Sequence, residues 1–266
     1  MTSVAIVRPR SGGVRSLVAD TFLLTRRNLR VTWRTPELVV LAAVTPVMFV
    51  LLFRYVFGGT IRVPGYPDYV NYLIPGVMVQ TALFGGSSSA VGVAEDLAKG
   101  VTDRFRSLPT SRGAILASRT LADLVRLSYT MALLIAVGLL VGFRLHNSPP
   151  AIAAGIGIAL LFGYACSWLF TLVGLLVRNA ETATLGGFLL TFPLVFAAST
   201  FTSPKFMPGA LRTFADAQPV TQVADAVRHL TSGSGAAGPT TLHAVVWSAG
   251  ILIGAAALAT WKFCQS

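Results

Sequence analysis

Six apolar stretches, approximately 38–57, 73–93, 121–143, 151–177, 184–201 and 243–261, alternate with short polar connections along this chain. A bilayer core needs about 20 apolar helical residues to cross it. Hydrocarbon also leaves backbone donors and acceptors without water, so a spanning segment pairs them internally as a helix. The pattern predicts an all-α polytopic membrane protein with six transmembrane helices. Of 266 residues, little remains for a separate globular catalytic domain. Only 12% of residues are charged, about half the fraction of a soluble domain.

The net charge of +11 is a topology signal rather than a nucleic-acid footprint. Arg8, Arg10, Arg15, Arg26, Arg27, Arg30 and Arg34 precede the first span, and Lys99, Arg104, Arg106, Arg112 and Arg119 lie between the second and third. Arg178 follows the fourth span and Lys262 the sixth. With a cytoplasmic N-terminus all of these fall on one side, which the positive-inside rule favours. The opposite side holds Arg62, Arg144, Lys205, Arg212 and Arg228, spread over more sequence. Both termini are then cytoplasmic. Cys166 and Cys264 are too far apart along the spans to form a framework.

Residues 1–13 are polar and are expected to be a disordered cytoplasmic tail. Over 14–36 an amphipathic interfacial helix is expected. Val14, Leu17, Val18, Phe22 and Leu29 gather on one side, and Arg26, Arg27, Arg30 and Arg34 on the other. That pattern suits a helix lying at headgroup depth, although a merely solvated basic helix has the same charges. Residues 37–266 form the six-helix unit, with a cytoplasmic loop at 94–120 and an outer segment at 202–242.

The second span carries Gln80 and the small-residue run Gly85 to Ala90. Small residues let helix backbones approach closely, but the same run can line a path for cargo. Gln80, Phe84, Tyr129, Phe188 and Phe192 are the side chains that could line such a path; rings in spans also simply face lipid. The 94–120 loop is the most charged part of the chain and reads as a short helix, a break at Ser107-Leu108-Pro109, and a turn near Ser111-Arg112-Gly113. Beyond it Arg119, Asp123 and Arg126 stand at i, i+4 and i, i+3 spacing, so Asp123 can pair with either arginine at the inner boundary, a structural ion pair. In the outer segment Pro204, Pro208 and Pro219 cut the chain into short half-helices, too short and too charged to span.

The sequence contains no G-x-x-x-x-G-K-[ST] loop, so no nucleotide cradle of that kind is expected. No catalytic, cofactor or metal residues are assigned. The alternative of an ion-driven secondary transporter calls for inverted repeats and a titratable midplane group, and neither is evident; Asp123 comes closest.

Two stretches then carry a resemblance. "EDLAKGVTDRFRSLPTSRGAILASRTLADLVR" (Glu95 to Arg126) and "MPGALRTFADAQPVTQVADAVR" (Met207 to Arg228), in this order among six spans, resemble the ABC-2 type membrane permeases, in particular their daunorubicin/doxorubicin-resistance branch. The resemblance covers the chain from about residue 17 onward. It implies the transmembrane subunit of an exporter of hydrophobic drugs or lipids in a bacterial plasma membrane, not itself an enzyme. It implies ATP and Mg on two separate ATPase subunits, and a second permease, identical or sister, as the other half. The loop after the second span would dock on the ATPase, through Glu95, Asp96, Asp103, Arg104, Phe105, Arg106, Leu108 and Pro109.

Overall fold

A computed structural model describes residues 14–33, 36–61, 63–66, 68–99, 112–177, 179–233 and 239–265. Among them there is helix and no strand. The helices are α1 (Val14–Trp33), α2 (Pro36–Leu52), α3 (Tyr69–Ala98), α4 (Arg112–Val141), α5 (Pro149–Val177), α6 (Ala180–Phe196), α7 (Gly209–Ala217), α8 (Pro219–Ser232) and α9 (Pro239–Gln265). The expected tail 1–13 and most of the expected coupling residues, Asp103, Arg104, Phe105, Arg106, Leu108 and Pro109, lie outside the described residues.

Among the described residues four helices, α3, α4, α5 and α9, are long and apolar enough to cross a membrane. Two shorter apolar stretches, Ala43–Phe57 and Ala180–Phe196, accompany them. At 30 residues α3 is about 45 Å long at 1.5 Å per residue. It therefore outruns the apolar stretch 73–93 at both ends. Glu95 and Asp96 consequently belong to its last turns, and the rest of the expected short helix lies outside the described residues. The helix closes on Lys99, whose ammonium donates to Glu95 one turn back at 2.9 Å. That hydrogen bond holds the Lys99 pKa above its ordinary value.

The centre of the bundle is α3. Every residue from Tyr69 to Gln80 is buried, as befits a helix enclosed on all sides. Its principal neighbour is α5, and two glycines explain how close they come. A Cβ on Gly174 would strike the Ala90 carbonyl, and one on Gly86 would strike the backbone of Cys166. Packing without a side chain replaces the missing hydrophobic drive inside a bilayer. α9 lies on the other side of α5, where Ala255, Ala259 and Phe263 meet Trp168 and Leu175.

Helix α1 packs along α4 by a face that the apolar stripe did not indicate. Thr21 is buried, and the Thr25 hydroxyl reaches the Ser118 carbonyl at 3.3 Å. Val18 and Phe22 stay open on the other side. An apolar face left open next to exposed Arg26 and Arg30 suits the headgroup boundary.

The fifth apolar stretch ends sooner than expected. The helix stops at Phe196 rather than continuing to residue 201, and residues 197–201 fold into a turn. α8 tucks beneath this turn. It packs on α3, α5 and α9, and its stop is set by Gly233 at φ 67°, a left-handed conformation that a glycine adopts without cost.

Candidate functional site

A cavity of about 490 Å³ lies between α2, α3, α4, α5 and α6. That volume is in the range that takes a drug-sized ligand, roughly 300–1,000 Å³. One wall is a column of rings on α6. Phe188, Phe192 and Phe196 recur every four residues, so they share a helix face, with centroids 5.2 Å and 4.3 Å apart. Phe49 of α2 and Phe84 of α3 add further rings. Gly85 contributes space, while Gly86 and Gly163 line the cavity where neighbouring helices press close.

Polar groups enter this apolar wall at two levels. Gln80 of α3 lines it with only 4% of its surface exposed, and its Oε1 has no hydrogen-bond partner. At the other level stand Asp123 and Arg126 of α4. Arg126 Nη2 lies 3.1 Å from Asp123 Oδ1 and donates to the Ser88 hydroxyl at 2.6 Å. The Ser89 hydroxyl donates to Asp123 Oδ2, also at 2.6 Å. The small-residue run of α3 therefore both seals the α3–α5 contact, through Gly86, and presents serines to this ion pair.

Of the path residues named from sequence, the structure gathers Gln80, Phe84, Phe188 and Phe192 around one cavity. Tyr129 is not among the residues lining it. Asp123 has Arg126 as its partner, whereas Arg119 pairs with Asp96 across the α3–α4 interface. Gly92 makes room for that guanidinium, because a Cβ there would collide with it. Asp96 is thereby engaged within the chain, in the same turn as the Lys99–Glu95 pair.

The sequence did not reveal what Arg228 does. Its position groups it with scattered outer-side basic residues, yet it is 1% exposed and is the largest fully buried side chain among the described residues. Its guanidinium organises the 197–201 turn. Nη2 donates to the carbonyls of Ser199 at 2.6 Å and Thr200 at 3.2 Å, and Nε to that of Tyr72 at 3.0 Å. Nη1 donates to Asp225 at 2.6 Å. Further donors from the surrounding helices reach the same turn. Tyr72 OH donates to Ser199 O, Tyr69 OH to Phe201 O, and Gln218 Nε2 to Ala197 O. Non-helical backbone persists at membrane depth only where protein satisfies it, and here α3 and α8 do so. Tyr66 sits beside this cluster; burial pushes its phenol above the ordinary value while the Arg228 charge pulls the other way. A usable signal was present in the sequence: Thr221, Ala224 and Arg228 share one helix face, with Asp225 three residues before the arginine.

A profile of the ABC-2 type transporter family matches residues 19–231. The daunorubicin resistance ABC transporter permease protein DrrB1 of Streptomyces coeruleorubidus is 32% identical over 189 residues, which cover 71% of this chain and 66% of that protein. The probable doxorubicin resistance ABC transporter permease protein DrrC of Mycobacterium tuberculosis is 27% identical over 240 residues, covering 90% of this chain and 86% of its own length. The putative transport permease ycf38 of Cyanophora paradoxa is 24% identical over 220 residues, 82% of this chain and 76% of that one. With four-fifths of its length inside the family profile and an all-helical, span-rich architecture, the chain belongs to the ABC-2 type transporter family.

Proposed function

We propose that this chain is the transmembrane permease subunit of an ATP-driven exporter, carrying a hydrophobic drug or lipid out of a bacterial cell. The observation that carries this reading, beyond family membership, is the drug-sized cavity enclosed by α2 to α6. It is mostly apolar and ring-lined, with Gln80 and the Asp123–Arg126 pair among its polar groups. Such a wall accepts hydrophobic cargo and leaves selectivity to a few side chains.

In this reading α2 with its following turn, α3, α4, α5, α6 and α9 are the six spans. The interfacial helix 14–36 lies on the cytoplasmic face, and the unit 37–266 carries the coupling loop 94–120 inside and the segment 202–242 outside. Both termini are cytoplasmic. ATP and Mg are held by two separate ATPase subunits, and a second permease, identical or sister, completes the pathway. The permease binds no nucleotide itself. Glu95 and Asp96, at the end of α3, join Asp103, Arg104, Phe105, Arg106, Leu108 and Pro109 as the surface that the ATPase pushes. Because α3 runs unbroken from that end to the cavity, force applied there is delivered along a stiff rod.

A tagged chain extracted from its native membrane in mild detergent tests this. Co-purification of an ATPase at two copies per complex, with hydrolysis that depends on this chain, is the expected result. A chain that purifies without any nucleotide-hydrolysing companion, in both detergent and nanodiscs, overturns it in favour of an ion-driven transporter.

A further inference from the structure

Helix α1 buries its hydroxyls and exposes its apolar side chains. Thr21 and Thr25 face α4: Thr21 is buried, and the Thr25 hydroxyl donates to the Thr21 carbonyl at 2.7 Å and to that of Ser118 at 3.3 Å. On the outward side Val18, Phe22 and Leu23 keep 60%, 70% and 62% of their surface exposed. That order is inverted for a helix in water, where the hydrophobic effect would turn Phe22 inward. The outward strip also changes character along its length. Val18, Phe22, Arg26 and Arg30 follow one another at four-residue spacing, so each stands about 5–6 Å from the next on one face. The first two are apolar and the last two are exposed cations. Among the described residues neither arginine is in an ion pair. Asp20, the only acid of the helix, lies two positions from both Val18 and Phe22 and so on the opposite side. The cationic end of the strip leads directly into the bundle, because α2 starts at Pro36, just beyond Trp33.

We propose that this strip binds one anionic phospholipid, whose phosphate lies between Arg26 and Arg30 and whose acyl chain runs along Phe22 and Val18. A guanidinium fork matches the oxygens of a phosphate, and a headgroup of net negative charge engages both arginines. A zwitterionic lipid carries its own ammonium, which cancels that attraction. A soluble anion would use the arginines and leave Val18, Phe22 and Leu23 uncovered. Cations followed by apolar side chains along one strip have instead the head-then-tail order of a single amphiphile. A lipid held here also braces the inner end of the bundle. The Thr25–Ser118 contact joins α1 to α4 one residue before Arg119, and Arg119 grips Asp96 of α3. This inference goes beyond the exporter reading and is independent of what the cargo is.

The test places a fluorophore on the strip. In the full chain with Cys166→Ala and Cys264→Ser, Ala19→Cys, at an exposed position beside Val18, is labelled with bimane, and the protein is placed in phosphatidylcholine nanodiscs. A small fraction of the lipid carries a nitroxide on its acyl chain and is either phosphatidylglycerol or phosphatidylcholine. Quenching reports which of the two is enriched beside α1. Each arginine should favour the anionic lipid about fivefold. Together they should enrich labelled phosphatidylglycerol about tenfold or more over labelled phosphatidylcholine at low salt, and less at high salt. Arg26→Gln with Arg30→Gln should lower the ratio to about twofold or less, whereas Arg212→Gln, an exposed position on α7, should leave it unchanged. Equal quenching by the two lipids overturns the proposal without any arginine variant, as does a preference that survives the double substitution. Displacement of labelled phosphatidylglycerol by inorganic phosphate, beyond that caused by chloride at equal ionic strength, also overturns it by marking the arginines as a site for a soluble anion.

Discussion

The guanidinium carbon of Arg228 lies 3.7 Å from the ring centroid of Tyr72 while Arg228 Nε donates to the backbone carbonyl of that same tyrosine. One residue of α3 thus holds the arginine of α8 by both its ring and its main chain. The arrangement accounts for a buried cation in an apolar bundle, where an uncompensated charge would not survive.

Replacing Arg228 with Met should therefore destabilise the protein by about 2 kcal/mol or more, as expected when buried acceptors lose their donor. The carbonyls of Ser199, Thr200 and Tyr72 lose their donor together. Arg228→Lys should rescue little, because an ammonium lacks the planar fork that reaches several acceptors at once. Thermal unfolding of both variants in the same detergent checks this; full stability of the lysine variant would refute the fork argument.

Gly76 faces the same turn. A Cβ there would run into the Thr200 carbonyl and crowd Arg228 Nη2. Gly76→Ala should cost about 1–3 kcal/mol as overpacking, despite alanine's better helix propensity. A melting temperature at or above that of the unaltered chain would contradict it.

The Arg119–Asp96 contact is of a different kind. Asp96 is 43% exposed, so solvent screening limits the pair to about 1 kcal/mol or less. A double-mutant cycle with Asp96→Asn and Arg119→Gln, read by thermal unfolding, should give a coupling of that size. A coupling of several kcal/mol would mark the contact as buried in the working complex.

The coupling segment makes a functional prediction. Phe105→Ala or Arg106→Glu should leave the chain in the membrane and uncouple substrate-stimulated ATP hydrolysis in the complex. Unchanged stimulation in both variants would exclude this loop as the transmission element.

Topology can be checked chemically. In a background with Cys166→Ala and Cys264→Ser, a membrane-impermeant maleimide should label Ser203→Cys in intact cells. It should label Lys99→Cys only after permeabilisation. Labelling of both from outside would break the six-span arrangement.

The helical elements were legible because apolar length is read directly from sequence, and α2, α4, α5 and α9 run through the stretches that announced them. What composition could not give were the ends. α3 and α4 continue through polar residues such as Glu95 and Arg119, because helical hydrogen bonding does not stop where apolarity does. The stretch to residue 201 looked like uninterrupted span because the turn's partners, Tyr69, Tyr72, Gln218 and Arg228, are distant in sequence. The convergence of Gln80, Phe84, Phe188 and Phe192 on one cavity needed the α3–α6 packing, although each residue stood out alone. Arg228 was hidden for a simpler reason: a lone arginine near a span is ordinarily assigned to the headgroups, and only contact with three carbonyls makes it internal.

The pinned turn also restricts which parts of the molecule can move. Separating α3 from α8 would strip the 197–201 carbonyls of the donors supplied from those two helices at once. Those two helices and the turn are therefore one rigid piece. Phe49 of α2 and Phe53 just beyond it meet that piece only through ring stacking on Phe201, at 6.0 and 4.5 Å, and rings can slide without leaving an unmet polar group. Whatever rearrangement lets a guest leave, its cheap direction is the phenylalanine wall, with the arginine-bound side as the fulcrum.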